Sequence, residues 1–267
     1  MLGAIFGDIA GSVYEFRNIK TTQFELLGRG TSFTDDTVLV VAVADWLLQG
    51  TLTKEALIER MRYWVAQYPH PMGSYGLRFQ EWLRSPHPQP YNSWGNGSAM
   101  RVAPVGWAFD TLAETEALAA RTAEVTHNHP EGVKGAQAVA AAIFLARNGE
   151  TKAAIKTYVE EKYGYDLSRS CDEIRPTYAF DESCQGTVPQ AFAAFLESVD
   201  FESAIRLAVS LGGDSDTLAC VTGAVAEGFY GRLYGSGLAL EEKAMGKLSK
   251  DVSEVVEAFY ERIVDKM

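Results

Sequence analysis

Two short runs rich in carboxylates carry the clearest chemistry in this sequence, Thr34-Asp35-Asp36 and Asp214-Ser215-Asp216-Thr217. Each stands where an apolar helix should begin. One Asp or Thr side chain is enough to cap a helix, because its oxygen accepts from a free backbone N–H and complements the dipole. Taken alone, either run reads most simply as such a cap. A second carboxylate beside the first adds repulsion unless a cation neutralises it, and here that arrangement occurs at two helix mouths. Oxygen donors of this kind suit Mg²⁺ or Mn²⁺, hard ions that retain waters. The spacing of a calcium-binding EF-hand loop, ending in a distal Glu, is absent. The pairing predicts a pair of divalent metal ions held by the oxygens of these two helix mouths.

The segment GAIFGDIAGSVYEF, residues 3–16, supplies a third piece. Read as a helix, it places Gly3, Gly7 and Gly11 on one stripe and Asp8, Ser12 and Glu15 on another. Glycine weakens a helix, so three in register predict close approach to a neighbouring element. Glu15 then lies on a polar face of an apolar segment, either as a working carboxylate or as an exposed surface acid. In the GNG run, Gly95 and Gly97 allow N–H groups to converge on phosphate oxygens, although an isolated GNG is also an ordinary tight turn. Trp94 and Tyr75 can stack on a ribose or adenine face, or simply pack in the interior. His127 and His129 lack a third zinc ligand, and Pro130 points to a helix end there. His70 and His87 lie in a Pro-rich loop and carry no assigned role.

The elements that must position these residues read as helices. Segments 36–48, 132–148 and 217–230 are Ala-, Val- and Leu-rich and too long for strands. The first and last are apolar nearly all round, which predicts central buried helices. Segments 53–67, 112–125, 188–198, 201–211 and 250–264 read as amphipathic helices. The one extended candidate, 175–180, is short. Two loops, 68–97 and 163–187, are long enough to predict a functional role. The fold class is therefore all-α, with residues 1–267 forming a single domain.

Composition excludes several partners. Lys and Arg total 24 against 35 Asp and Glu, a net charge of −11. No basic surplus exists to neutralise nucleic-acid phosphates or an anionic membrane. Three widely spaced cysteines, Cys171, Cys184 and Cys220, build no disulfide framework, which favours a reducing cytoplasm. The apolar N-terminus lacks a basic flank and carries Asp8 and Glu15, unlike a signal peptide. The other apolar runs are broken by charge or Gly before they could span a bilayer. A cytoplasmic monomer or small oligomer is expected.

GDIAGSVYEF, FTDDT, GNGSAMR, THNHPEGVKGA and LGGDSDT occur in this order, and together they resemble the ADP-ribosylglycohydrolase family over residues 3–231. The resemblance implies an all-α fold, two Mg²⁺ ions and hydrolysis of the C1″ glycosidic bond of ADP-ribose. It implies that Thr34, Asp35 and Asp36 form one ligand group and Asp214, Asp216 and Thr217 the other. It places Glu15 beside the scissile bond, where Glu15 or the metal-binding Asp35 serves as base. Ser93, Trp94, Gly95, Asn96, Gly97 and Ser98 match the loop holding the diphosphate and distal ribose, and His127 matches a ligand-contacting histidine. The loop Gly73-Ser74-Tyr75-Gly76 resembles, more loosely, a second substrate loop.

The transition state of such a cleavage resembles an oxocarbenium ion and needs nearby negative charge, an oriented ribose and an activated water. The expected substrate is an ADP-ribosylated protein arginine. Serine-linked ADP-ribose, O-acetyl-ADP-ribose and a modified nucleobase are the other chemically possible substrates. A diphosphate-binding terpenoid synthase would need DDxxD, and the third acid is missing after Asp35-Asp36. A non-catalytic ADP-ribose-binding or structural protein on the same scaffold is the remaining reading, since the wider family includes a lens crystallin. All six expected ligand positions are nevertheless filled.

Overall fold

The structure, a computed structural model, describes residues 1–231 and 238–266. Fifteen helices follow in order: α1 Leu2–Gly11, α2 Asp35–Gln49, α3 Lys54–Gln67, α4 Leu77–Arg84, α5 Gly97–Met100, α6 Ala103–Ala108, α7 Leu112–Glu124, α8 Pro130–Arg147, α9 Lys152–Tyr163, α10 Cys171–Ile174, α11 Cys184–Glu197, α12 Phe201–Leu211, α13 Ser215–Tyr230, α14 Leu238–Met245 and α15 Lys250–Arg262. Among the described residues there is no strand, only two isolated bridges, Thr34 with Met72 and Gly95 with Ser183. In the extended candidate at 175–180, residues 175–177 are instead the turn that ends α10 and 178–180 form no regular element.

α13 runs through the centre, buried from Ser215 to Gly228, and every residue of α1 is buried against its neighbours. The glycine stripe explains the intimacy of that pair. A Cβ on Gly3, Gly7 or Gly11 would lie 2.3, 1.9 or 2.4 Å from the carbonyl oxygens of Gly223, Ala219 and Ser215. Only glycine lets the two backbones touch. α2 is buried from Asp36 to Ala44 and packs beside α1. The N-termini of α2 and α13 and the C-terminus of α1 thus meet at one end of the core.

Two boundaries differ from expectation, and two helices are additional. α1 ends at Gly11, not beyond Glu15, because a turn follows in which the Tyr14 N–H donates to Gly11 O. α11 begins at Cys184, capped by Ser183, so Pro189 lies inside the helix. The carbonyl that Pro189 leaves unpaired belongs to exposed Gln185, which water can serve. α4 and α9 were not expected. α9 buries only Ile155, Val159 and Tyr163, a one-sided stripe at four-residue spacing between a Thr151 cap and a left-handed Gly164.

Candidate active site

A cleft of about 630 Å³ opens where these helix ends meet. Its floor is acidic. Asp35 and Asp36 begin α2, Asp214 precedes α13, Asp216 and Thr217 lie in its first turn, and Glu15 enters from the turn after α1. Glu15, Asp214 and Asp216 each offer an oxygen within 4.8 Å of the other two, a separation one cation can span. Thr217 donates to Asp36 Oδ1 at 3.3 Å and so links the two acidic runs. Asp36 Oδ2 and Asp216 Oδ1 are buried with no hydrogen-bond partner. The close triad joins Glu15 to the second acidic run, and Asp35 and Asp36 of the first run line the same floor.

Thr34 is fully buried and is not among the residues that line the cleft. Its hydroxyl donates to Asp8 Oδ1 at 2.7 Å and accepts from the Asp36 N–H at 3.2 Å, which makes it the cap of α2. Asp8, not singled out from the sequence as a site residue, is the hub beneath. It also accepts from the N–H groups of Thr34 and Thr37 at 3.0 and 3.1 Å and from the Thr37 hydroxyl. Its motif position was visible, but its partners are 26 and 29 residues away and were not.

The walls are loops. Gly73 and Ser74 both adopt positive φ, 79° and 78°. A Cβ on Gly73 would stand 2.8 Å from Glu15 Oε2, so this loop is cut to admit that carboxylate. Tyr75 and Gly76 complete this wall, and the Tyr75 hydroxyl donates inward to Tyr68 O at 2.7 Å. Opposite stand Ser93, Gly95, Asn96, Gly97 and His127. Asn96 turns its amide to Asp214 Oδ2 (2.7 Å) and Thr187 Oγ1 (3.0 Å), tying the glycine loop to the acidic floor. Two expected members do not reach the cleft. Ser98 is buried behind the loop and donates to Gly132 O at 2.7 Å, while Trp94 turns its half-exposed ring against His129.

Charge is distributed unevenly along the cleft. Burial, then the charges of Asp214, Asp8 and Glu182, push Glu15 up to about 7, and burial pushes Asp8 up to about 6. Asp35, Asp36 and Asp216 are held well above the usual carboxylate range, first by burial and then by one another and neighbouring acids. The carboxylates of Asp214 and Asp216 approach each other closely, and that mutual repulsion favours a proton or a cation between them. The end beside the glycine loop is positive. Arg101 is fully buried, lines the cleft and has no carboxylate partner among the described residues. Arg78 stacks on the Tyr91 ring at 4.9 Å. At the acidic mouth, exposed Phe16 and Phe180 stack with centroids 6.0 Å apart, flanked by Glu15 and Glu182.

The whole-chain comparison fits this arrangement. The family model described as ADP-ribosylglycohydrolase matches residues 1–266. This chain belongs to the ADP-ribosylglycohydrolase family. It is an enzyme of that class, a hydrolase of ADP-ribosyl bonds. It is 26% identical to the ADP-ribosylhydrolase ARH3 of Bos taurus, over 86% of this chain and 84% of that one. It is 27% identical to the ADP-ribosylarginine hydrolase Tri1 of Pseudomonas putida, over 98% and 77%. A solved structure described as an ADP-ribosylglycohydrolase-related protein complex shares the fold, with a TM-score of 0.70 and 24% identity over 97% of this chain and 96% of that one. No helix among the described residues is long and apolar enough to cross a membrane.

Proposed function

We propose that this ADP-ribosylglycohydrolase removes ADP-ribose from protein arginine by hydrolysing the C1″ bond with two Mg²⁺ ions, for which Mn²⁺ substitutes. The observation carrying the metal reading is the pair of buried, unpartnered oxygens, Asp36 Oδ2 and Asp216 Oδ1, in an oxygen-only acidic floor. Asp36, Asp214, Asp216 and Thr217 would hold the ions, with Glu15 and Asp35 beside them and Thr34 supporting from below. Bound there, the ions would orient the ribose hydroxyls and lower the pKa of an attacking water.

The chain's own residues do the rest. The Gly95–Gly97 turn and the positive end receive the diphosphate, while Asp214, fixed by Asn96, helps set the ribose over the floor. Glu15, with room beside Gly73, takes the proton of the attacking water as the C1″–nitrogen bond breaks, and that proton passes on to the departing guanidine. The acidic floor stabilises the oxocarbenium-like charge. Phe16 and Glu182 line the cleft and Phe180 stacks on Phe16, and that aromatic, negative mouth suits the planar guanidinium of an arginine acceptor. The similarity to a protein named ADP-ribosylarginine hydrolase agrees with this acceptor.

A second reading keeps the bond and changes the acceptor to serine or O-acetyl. The similarity to proteins named ADP-ribosylhydrolase ARH3, a name without arginine, favours it. Parallel release assays on arginine-linked, serine-linked and O-acetyl substrates, with magnesium and with chelator, test both. Fast, chelator-sensitive release from arginine alone supports the proposal. Release from serine or O-acetyl alone selects the second reading, and ADP-ribose binding without turnover of any substrate selects a non-catalytic role.

A further inference from the structure

The Gly95–Gly97 turn faces one ring nitrogen of His127. Cβ atoms on Gly95 and Gly97 would stand 3.4 and 3.2 Å from Nε2. What that nitrogen presents to a ligand depends on where the imidazole proton sits, and the hydrogen bonds behind the ring decide it.

The chain begins at Arg101, a donor only. One of its terminal nitrogens donates to Thr122 O at 2.7 Å and to Thr126 Oγ1 at 2.8 Å. The Thr126 hydroxyl is therefore an acceptor toward Arg101 and has one hydrogen left to give. Two acceptors lie in reach, Ala123 O at 3.5 Å and His127 Nδ1 at 2.7 Å. Ala123 O already receives the N–H groups of Thr126 at 3.0 Å and His127 at 2.7 Å, so both its lone pairs are taken. The hydrogen goes to Nδ1, which must then carry a lone pair, and the ring proton lies on Nε2. Burial, with the charges of Arg101 and Arg78, holds the imidazole neutral.

We propose that Arg101 and Thr126 are positioning residues that lock His127 in the neutral Nε2–H form, so that it donates into the Gly95–Gly97 turn. An unlocked imidazole would spend part of its time presenting a lone pair to an anionic oxygen, which repels it. The ligand half of this inference rests on the reading of the cleft as an ADP-ribose site. The tautomer half does not.

The test uses Thr126→Ser, which keeps the hydroxyl, and Thr126→Val, which removes it at nearly constant shape. Nitrogen-15 spectra of histidine-labelled protein without ligand report the tautomer directly, and with four histidines in the chain His127 is assignable by its loss in His127→Gln. The unaltered protein and Thr126→Ser are expected to show a protonated Nε2 and bare Nδ1 at neutral pH. Thr126→Val is expected to show mixed tautomers and to bind ADP-ribose roughly tenfold more weakly, with kcat changed much less than KM. A proton on Nδ1 in the unaltered protein overturns the proposal, even if Thr126→Val does not fold. So does a folded Thr126→Val with the original tautomer and affinity. Unaltered protein that shows the Nε2 proton but binds no ADP-ribose overturns the reading of the cleft and the ligand half with it, while the lock stands.

Discussion

Gly7 and Ala219 meet backbone to backbone, so that a Cβ on Gly7 would lie 1.9 Å from the Ala219 carbonyl oxygen. No flexible side chain is present to give way. Gly7→Ala must push α1 off α13, at a cost of roughly 3 kcal/mol or more. Because the same helix pair brings Glu15 to Asp214 and Asp216, activity falls along with stability. Thermal unfolding of Gly7→Ala, beside Gly76→Ala as a control with negative φ and open space around it, and turnover of Gly7→Ala measure both losses. Equal melting temperatures for the two variants would remove the stripe as the reason for this packing.

That stripe was legible because three glycines in a helix have no local explanation. The buried helices α2 and α13 were legible for a similar reason, each being apolar almost all round. Legibility failed where tertiary contacts decide. The turn after Gly11 exists because that residue backs onto Asp216, and local pattern continues the helix past Glu15 instead. α9 shows only three buried positions and reads as polar. Of the site, the acidic runs and glycine loops were visible as motifs, whereas Asp8 beneath Thr34, the buried Arg101 and the Phe16–Phe180 mouth depend on partners far away in sequence.

The acidic floor predicts how the metal-free protein responds to pH. Glu15 rises from 4.5 to about 7 and Asp8 from 3.8 to about 6 in the folded state. A carboxyl whose folded pKa is raised binds its proton more readily when folded. Its contribution to stability is full below the unfolded value and is lost as pH rises through the folded value. In chelator, melting temperature should therefore fall between about pH 4.5 and pH 7. Magnesium should raise it at pH 8 by clearly more than at pH 5, since cations then replace the missing protons. A magnesium shift of the same size at both pH values would argue against a metal site on these carboxylates.

Glu15 and Asp214 should fail differently. Glu15→Gln preserves shape and removes the proton acceptor, so turnover should drop by about 10² or more while ADP-ribose affinity stays within a few-fold. Asp214→Ala removes a member of the close triad and frees Asn96, so magnesium binding and turnover should be lost together. Calorimetric titration with magnesium and with ADP-ribose separates the two. If Glu15→Gln lost affinity and kept its turnover, the carboxylate would be a binding group rather than a proton acceptor.

The exposed aromatic pair gives the sharpest test of the acceptor. Phe16 is 72% and Phe180 45% exposed, yet they stack on each other across two loops at the acidic mouth, beside Glu15 and Glu182. Neither ring contributes to the buried core, so Phe16→Ala and Phe180→Ala should leave the melting temperature nearly unchanged. A cation held over an aromatic face beside a carboxylate gains roughly 0.5–2 kcal/mol, and losing it should raise KM for arginine-linked substrate several-fold to about thirtyfold. O-acetyl and serine-linked substrates, whose leaving groups carry no guanidinium cation, should be affected much less. Kinetics of both variants on all three substrates decide the matter. An equal loss on every substrate would place the pair in ADP-ribose binding and take away the structural basis for choosing arginine.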